Sequence, residues 1–263
     1  MARTLFNSKT VEDVEFCLNR GDDIETAFGG GGWTPFIHHC QKGNIDVVLS
    51  LINRGCDINK RHFSGMNGLD YVCDQGHYDL LLRLLNLPQI RNLINPIGMR
   101  SPLAFCCSRG HCDIFDVLIE NGADVNHKDQ FDNSHLRYAM SNNNPVIIRH
   151  LLDNGADVNH VNLNNDTCIH TCDITLECLD ILLCYGGLAL INKQDNGGYT
   201  PLYVAVDCGN IDIISRLLDC GADPDISDFE GITPLEYAKS IENNEAYSLD
   251  FINKIKAIIN LLS

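Results

Sequence analysis

The sequence predicts an all-α repeat solenoid, and three observations carry that prediction. The hexapeptide Gly122-Ala123-Asp124-Val125-Asn126-His127 returns letter for letter as Gly155-Ala156-Asp157-Val158-Asn159-His160, thirty-three residues later. A fixed period of that length is the signature of stacked supersecondary units. Apolar runs at helical spacing precede both copies, Val117-Leu118-Ile119 and Ile147-Ile148-Arg149-His150-Leu151-Leu152, and looser copies stand at Gly55-Cys56-Asp57-Ile58-Asn59 and Gly221-Ala222-Asp223-Pro224-Asp225. A second motif runs in phase with the first: a small polar marker at Thr34, Asn67, Ser101, Ser134, Thr167, Thr200 and Thr233, in steps of 33 residues with one step of 34.

Taken in order, repeat one is truncated. Val11-Glu12-Asp13-Val14-Glu15-Phe16-Cys17-Leu18-Asn19-Arg20-Gly21 reads as a second helix ended by glycine, and the segment before it is short, as suits an N-terminal cap. Repeat two opens at Gly29-Gly30-Gly31-Gly32-Trp33-Thr34-Pro35. Threonine accepts from the free amides of a helix start, and proline at the first helical position gives up no needed donor. After a turn at Gly43-Asn44, Val47, Val48, Leu51 and Ile52 fall on one helix face, and Gly55 ends that helix. Repeat three departs from the pattern, because Leu87-Pro88-Gln89-Ile90-Arg91-Asn92-Leu93-Ile94-Asn95 carries the one extra residue and predicts a longer connection. Repeats four, five and seven are regular. In repeat six Gly186 falls 19 residues after Thr167 where other repeats have 21, which predicts an inter-helix turn shortened by two residues, with Gly187-Leu188-Ala189 restoring the phase. Repeat eight keeps Thr233-Pro234-Leu235, then a polar turn near Glu242-Asn243-Asn244, then a last helix with Phe251, Ile252, Ile255, Ile258 and Ile259.

The pairing of Thr200-Pro201-Leu202 and Thr233-Pro234-Leu235 with the Gly-Ala-Asp-Val-Asn motif resembles the ankyrin repeat, and the resemblance covers essentially the whole chain. It implies a single domain over 1–263, with a cap at 1–29, internal repeats over 30–228 and a second cap at 229–263. Each repeat would be a helix, a turn, an antiparallel helix and a projecting β-hairpin finger, stacked into a curved array. Fingers and first helices would line a concave face that binds proteins. The resemblance also implies which positions touch a partner: four, three and one residues before the marker at the finger tip, and seven and eight after it at the end of the first helix. Those slots hold Trp33, Gln41 and Lys42; Phe63, Met66, Asp74 and Gln75; Ile97, Arg100 and Arg109; Phe131 and Asn142; Leu163; Tyr199 and Asp207; and Phe229 with Glu230. Among these, Trp33, Phe63, Phe131, Tyr199 and Phe229 are the residue types that anchor interfaces. The competing reading is that some of them pack against the next finger.

Composition narrows the class. The 263 residues are 44% hydrophobic, no apolar run reaches membrane-spanning length, and Met1-Ala2-Arg3-Thr4-Leu5-Phe6-Asn7-Ser8 has no signal-peptide character. Thirteen cysteines, an odd number, follow the repeat and not a short disulfide framework, which favours a reducing compartment, cytosol or nucleus. The net charge of −16 is uneven, since residues 161–250 hold 16 acidic and 3 basic side chains. Such a field repels nucleic acid and anionic membrane and steers a basic partner. A monomer is expected.

Catalytic and metal readings find little support. Cys168, His170, Cys172, Cys178 and Cys184 crowd repeat six, and four such ligands could hold zinc, but their spacing is not that of a zinc knuckle. Cys40, Cys73 and Cys107 lie six residues past their markers, where the resemblance implies a small alanine between helices, so cysteine reads as a small apolar residue. His77 and His111 follow a glycine in the inter-helix turn and read as turn hydrogen-bonders, and His170 would tie neighbouring repeats. Gly29 to Gly32 lacks the Gly-Lys-Ser/Thr ending of a phosphate loop. The Asn165-Asp166-Thr167 glycosylation triplet has no secretion signal to accompany it. Asn126 with Leu118 and Asn159 with Leu151 match the asparagine hydroxylation pattern of cytosolic ankyrin proteins, against the simpler reading that these asparagines bond the hairpin backbone. The expectation is therefore a non-catalytic scaffold or adaptor that needs no cofactor and no metal. The alternatives are a host-directed effector of an intracellular microbe, delivered into the host cytosol, and a Cys/His enzyme centred on Cys168–Cys184.

Overall fold

Antiparallel helix pairs recur along the chain as the period requires. The computed structural model describes residues 4–172, 174–242 and 248–263, and among them fourteen α-helices and three short 3-10 helices form. Cα packing groups the chain into two compact units, Met1–His127 and Lys128–Ser263.

In the N-terminal unit, α1 (Val11–Asn19) is the lone helix of repeat one, preceded by a 3-10 turn at Leu5–Asn7. Three pairs follow: α2 (Pro35–Lys42) with α3 (Ile45–Asn53), α4 (Gly68–Gln75) with α5 (Tyr78–Leu85), and α6 (Pro102–Arg109) with α7 (Cys112–Glu120). The markers do what their chemistry predicts. Thr34 Oγ1 accepts from the Ile37 amide at 3.2 Å, Asn67 Oδ1 from Asp70 at 2.9 Å and Ser101 Oγ from Ala104 at 3.3 Å. Phe36, Ile37, Leu51, Leu69, Leu80, Leu84, Leu103, Ile114, Phe115 and Leu118 fill the interior between successive pairs. Cys40, Cys73 and Cys107 are fully buried among them, in the place of alanine.

The inter-helix histidines reach further than their own turns. His77 Nε2 donates to the Gln41 carbonyl at 2.9 Å and His111 Nε2 to the Asp74 carbonyl at 3.2 Å, each in the preceding repeat. Their rings lie flat on the preceding glycines. A Cβ on Gly43 would stand 2.7 Å from the His77 ring and one on Gly76 2.8 Å from His111, and both glycines have left-handed φ. Glycine at these turns is thus required twice, by the helix end and by the histidine of the next repeat.

The extra residue of repeat three goes into a 3-10 helix at Pro88–Leu93, which buries Ile90, Leu93 and Ile94. Beyond it Asn95 donates to the Gly122 carbonyl at 2.9 Å and accepts from the Asp124 amide at 2.9 Å, clamping the next repeat.

The C-terminal unit holds α8 (His135–Ser141) with α9 (Pro145–Asp153), then α10 (Leu176–Cys184) alone. It closes with α11 (Pro201–Asp207) and α12 (Ile211–Asp219), then α13 (Pro234–Glu242) and α14 (Leu249–Leu262). Repeat six differs from expectation. Its missing two residues come out of the first helix and not out of the turn: no helix forms among the described residues between Thr167 and the Thr175 cap of α10. The other first helices have only seven to nine residues. Removing two leaves too few backbone bonds to offset the ordering of a first turn.

Two features hold the non-helical segment. His170 Nδ1 accepts from the Thr167 amide at 3.1 Å, and its Nε2 donates to the Lys193 and Tyr199 carbonyls, both at 3.1 Å. Cys172 is disulfide-bonded to Cys208 at the end of α11, a pairing that the cysteine pattern did not suggest. A 3-10 helix at Gly187–Leu190 then restores the phase, and Asn192 repeats the Asn95 clamp on Gly221 and Asp223. In the final repeat Ile255 and Ile258 are buried, while residues 243 and 244 of the expected polar turn lie outside the described residues.

The fingers contain no extended ladder among the described residues, only isolated bridges at Phe28–Trp33 and Lys128–Ser134. In four fingers of the C-terminal unit a side-chain acceptor five residues before the marker holds the tip instead. Asp129 Oδ1 takes the Phe131 and Asn133 amides, Asn162 those of Asn164 and Asp166, Asp195 those of Gly197 and Tyr199, and Asp228 those of Glu230 and Ile232. This Asx turn replaces a strand pair as the reason the finger projects.

Candidate functional site

Backbone bonds between neighbouring fingers fix how the finger-tip side chains stand. At the tip, the amide four residues before one marker donates to the carbonyl three residues before the preceding marker. Phe63 donates to Gly31 at 2.9 Å in the N-terminal unit, and Leu163 to Phe131 at 3.1 Å and Phe229 to Gly197 at 3.3 Å in the C-terminal unit. With its backbone tied to a neighbouring finger, each of these residues turns its side chain to solvent.

Of the slots named from sequence, those at three and four residues before the marker are the open ones. Phe63 is 83% exposed and Ile97 98% in the N-terminal unit, and Phe131 57%, Leu163 65% and Phe229 71% in the C-terminal unit. Glu230 beside Phe229 is exposed as well. The slot one residue before the marker behaves differently. Trp33 is half-buried against His62 at 4.5 Å and Tyr71 at 5.1 Å between ring centroids. Tyr199 packs on Tyr203 at 4.6 Å, which in turn stacks on Tyr237 at 4.9 Å. Met66 is half-buried, and Arg100 lies 4.4 Å over the Phe105 ring while bonding Ser108. Of the five proposed aromatic anchors, therefore, Trp33 packs on rings of the next repeat and Tyr199 on a ring of its own repeat. Phe63 lies against the His62 ring, centroids 4.1 Å apart, yet keeps 83% of its surface in water, and Phe131 and Phe229 make no ring stack among the described residues.

The first-helix ends divide in a similar way. Lys42, Gln75, Asn142 and Asp207 are exposed and Gln41 is half-buried. Asp74 is taken up by Arg109, whose Nε donates to Oδ1 at 2.8 Å, and by Gln75 at 2.7 Å. Asp207 accepts from the Tyr237 hydroxyl.

Sequence reasoning missed the residues four past the markers. Rings recur there at His38, Tyr71, Phe105, Tyr138 and Tyr237, with Thr171 and Val204 the exceptions, and His38 and Tyr71 meet Trp33, Phe105 meets Arg100 and Tyr138 bonds Asp129. It also missed a hollow of about 680 Å³ beside repeat one, whose lining includes Phe6, Phe28, Trp33 and His38. Phe6 and Phe28 fall before the first marker, where no period exists to align them.

Within the cysteine and histidine cluster of repeat six, Cys168 and Cys178 lack the electrostatics of a nucleophile. Burial pushes the Cys168 thiol up to about 12 and raises that of Cys178, opposite to the lowered value that makes a thiol reactive. Burial also lowers His170 against its carbonyl partners, and both its ring nitrogens are engaged. Among the described residues no group of three or more His, Cys, Asp or Glu side chains is placed to hold a metal ion, and no helix is long and apolar enough to cross a membrane.

Helix pairs, marker caps, interior cysteines and linked finger tips together define a repeat protein. Family models agree: one described as ankyrin repeats in three copies matches residues 69–162, 136–228 and 175–247, and a single ankyrin repeat model matches 31–60. The chain belongs to the ankyrin repeat family. It is 34% identical over 189 residues to a Fowlpox virus protein named as an ankyrin repeat protein, covering 64% of this chain and 52% of the viral one. A Saccharomyces cerevisiae protein named for the p28 regulatory subunit of the 26S proteasome is 25% identical over 85% of this chain and 69% of its own length. An L-asparaginase of Dirofilaria immitis is 33% identical over 66% of this chain, but the match takes in only 29% of that enzyme. The chain thus spans about half of the viral relative and less than a third of the asparaginase. Family membership points to protein–protein interaction as the general role.

Proposed function

We propose that this chain is a non-catalytic scaffold or adaptor that grips a partner protein with its finger tips and first-helix ends. The observation that carries the proposal is the recurrence, in phase, of large apolar side chains more than half exposed: Phe63, Ile97, Phe131, Leu163 and Phe229. Single exposed apolar residues need no explanation, but their recurrence at the finger tips of each unit does. The partner segment is expected to be rich in lysine or arginine, because residues 161–250 hold 16 acidic against 3 basic side chains and would speed its encounter at low salt.

The test is to isolate a partner by affinity capture and measure its binding to Phe63→Ala and Phe131→Ala. Each is expected to lose about 2 kcal/mol or more, as truncated hot spots do. Losses below about 0.5 kcal/mol would place the working surface elsewhere, with the outer helix faces next. The similarity to the Fowlpox virus protein favours a second reading, in which the same surface engages a host protein after delivery into the host cytosol. The two readings share one binding surface and separate on whether the captured partner comes from the producing cell or from its host.

A further inference from the structure

We propose that the hollow beside repeat one is a docking site for a lysine side chain of a partner polypeptide. This rests on the reading of the chain as a protein-binding scaffold and names one chemical anchor for it. The hollow, of about 680 Å³, has the size of a ligand pocket and is lined by residues of repeat one and of the first finger. Four rings wall it at steep mutual angles. Phe6 meets Phe28 at 5.5 Å and 48°, Phe6 meets His38 at 5.6 Å and 65°, and His38 meets Trp33 at 6.5 Å and 81°. Rings so arranged are walls and not a closed stack, and Phe28 keeps 68% of its surface in water.

Charge at the rim selects the occupant. Arg20, Asp22 and Asp23 border the hollow, and Arg20 is already neutralised by Asp22, with bonds of 2.6 and 3.1 Å. That leaves the Asp23 carboxylate. Its Oδ1 accepts the Glu25 amide at 2.9 Å, and its Oδ2 has no partner among the described residues. His38 adds no opposing charge near neutral pH, since burial and then Lys42 lower its proton affinity against the pull of the Phe6 carbonyl. A lysine matches this surface along its length. Its four-carbon stem covers the apolar walls, and its ammonium meets ring faces and a carboxylate together. A purely aliphatic side chain would fill the walls and leave Asp23 unanswered.

Trp33 is the only tryptophan of the chain and lines the hollow, so its fluorescence reports occupancy directly. The probes are an acetyl-Gly-Gly-Lys-Gly-Gly-amide peptide and its norleucine counterpart, titrated into the full-length protein. The lysine peptide is expected to change Trp33 emission saturably and to bind about fivefold or more tightly than the norleucine peptide. Asp23→Asn should erase that preference, and Phe28→Ala should weaken binding of both peptides. Neither change disturbs the fold: asparagine keeps the Oδ1 acceptor, and Phe28 is held through its amide on the Trp33 carbonyl at 2.9 Å. Equal or tighter binding of the norleucine peptide, a preference that survives Asp23→Asn, or no saturable change up to about 20 mM peptide would each overturn the assignment, because that range covers even weak single-side-chain sites. If the pocket fails while Phe63→Ala and Phe131→Ala still weaken a captured partner, the scaffold reading stands without it. If the finger variants fail and the pocket succeeds, the binding surface is the N-terminal end alone.

Discussion

Asp70 offers a stability test that can be worked through in numbers. It occupies the position in repeat three that His170 holds in repeat six, and it is fully buried. Its Oδ2 accepts from the Asn67 amide at 2.8 Å and from Arg61 at 3.2 Å, while Oδ1 has no hydrogen-bond partner. Burial raises its proton affinity, and the Asn67 amide and the charges of Arg61 and Arg100 only partly offset this, so the carboxyl titrates at about 7 against an ordinary 3.8. Because the folded value is the higher one, the stabilisation is complete below the unfolded value and is lost as pH rises toward and through 7. Between pH 5 and pH 8 the folded protein sheds close to two pH units' worth of linkage at this group, or about 2–3 kcal/mol. Asp70→Asn removes the titration and keeps the acceptor for the Asn67 amide. Urea unfolding of parent and variant at both pH values isolates the effect, since every other titrating group cancels in the double difference. The variant is expected to gain about 2–3 kcal/mol on the parent in going from pH 5 to pH 8. Parallel pH dependence of the two proteins, within about 0.5 kcal/mol, would show that Asp70 is ionised throughout and that the buried environment is more polar than its contacts indicate.

Two further outcomes are expected. Alkylation of the denatured, unreduced protein should label the eleven free cysteines, and reduction should then release two more, from Cys172 and Cys208; labelling of all thirteen at the first step would remove the tie between repeats six and seven. Amides of Thr167–Cys172 should exchange with solvent about tenfold or more faster than those of α11, because the segment has lost its helical bonds and the openings of a repeat stack begin where neighbour contacts are fewest. Protection equal to that of α11 would contradict this reading.

The period, the number of repeats, the helix starts at Thr34, Ser101, Ser134 and Thr200 and the burial of Cys40, Cys73 and Cys107 were all legible in the sequence. Each depends on a local pattern repeated often enough to average out its exceptions: a hydroxyl before a helix, a glycine after one, a small residue at a crowded crossing. The three-residue difference between Trp33 and Gly30, or between Tyr199 and Asn196, was legible as phase but not as environment. Whether a ring at a finger tip keeps most of its surface in water like Phe63 or is half-buried like Trp33 is decided by the rings around it, and His62 and Tyr71, which cover Trp33, arrive from the next repeat. The fate of the two residues missing from repeat six followed the same rule. Spacing located the deletion, but only tertiary packing chose between shortening the turn and abandoning the helix. It could abandon the helix because His170 finds the Lys193 and Tyr199 carbonyls and Cys172 finds Cys208. Where the repeats are alike, neighbours impose the same surroundings on each position and the sequence suffices. Where one repeat departs from the pattern, its partners are side chains distant in sequence, and only the folded arrangement brings them together.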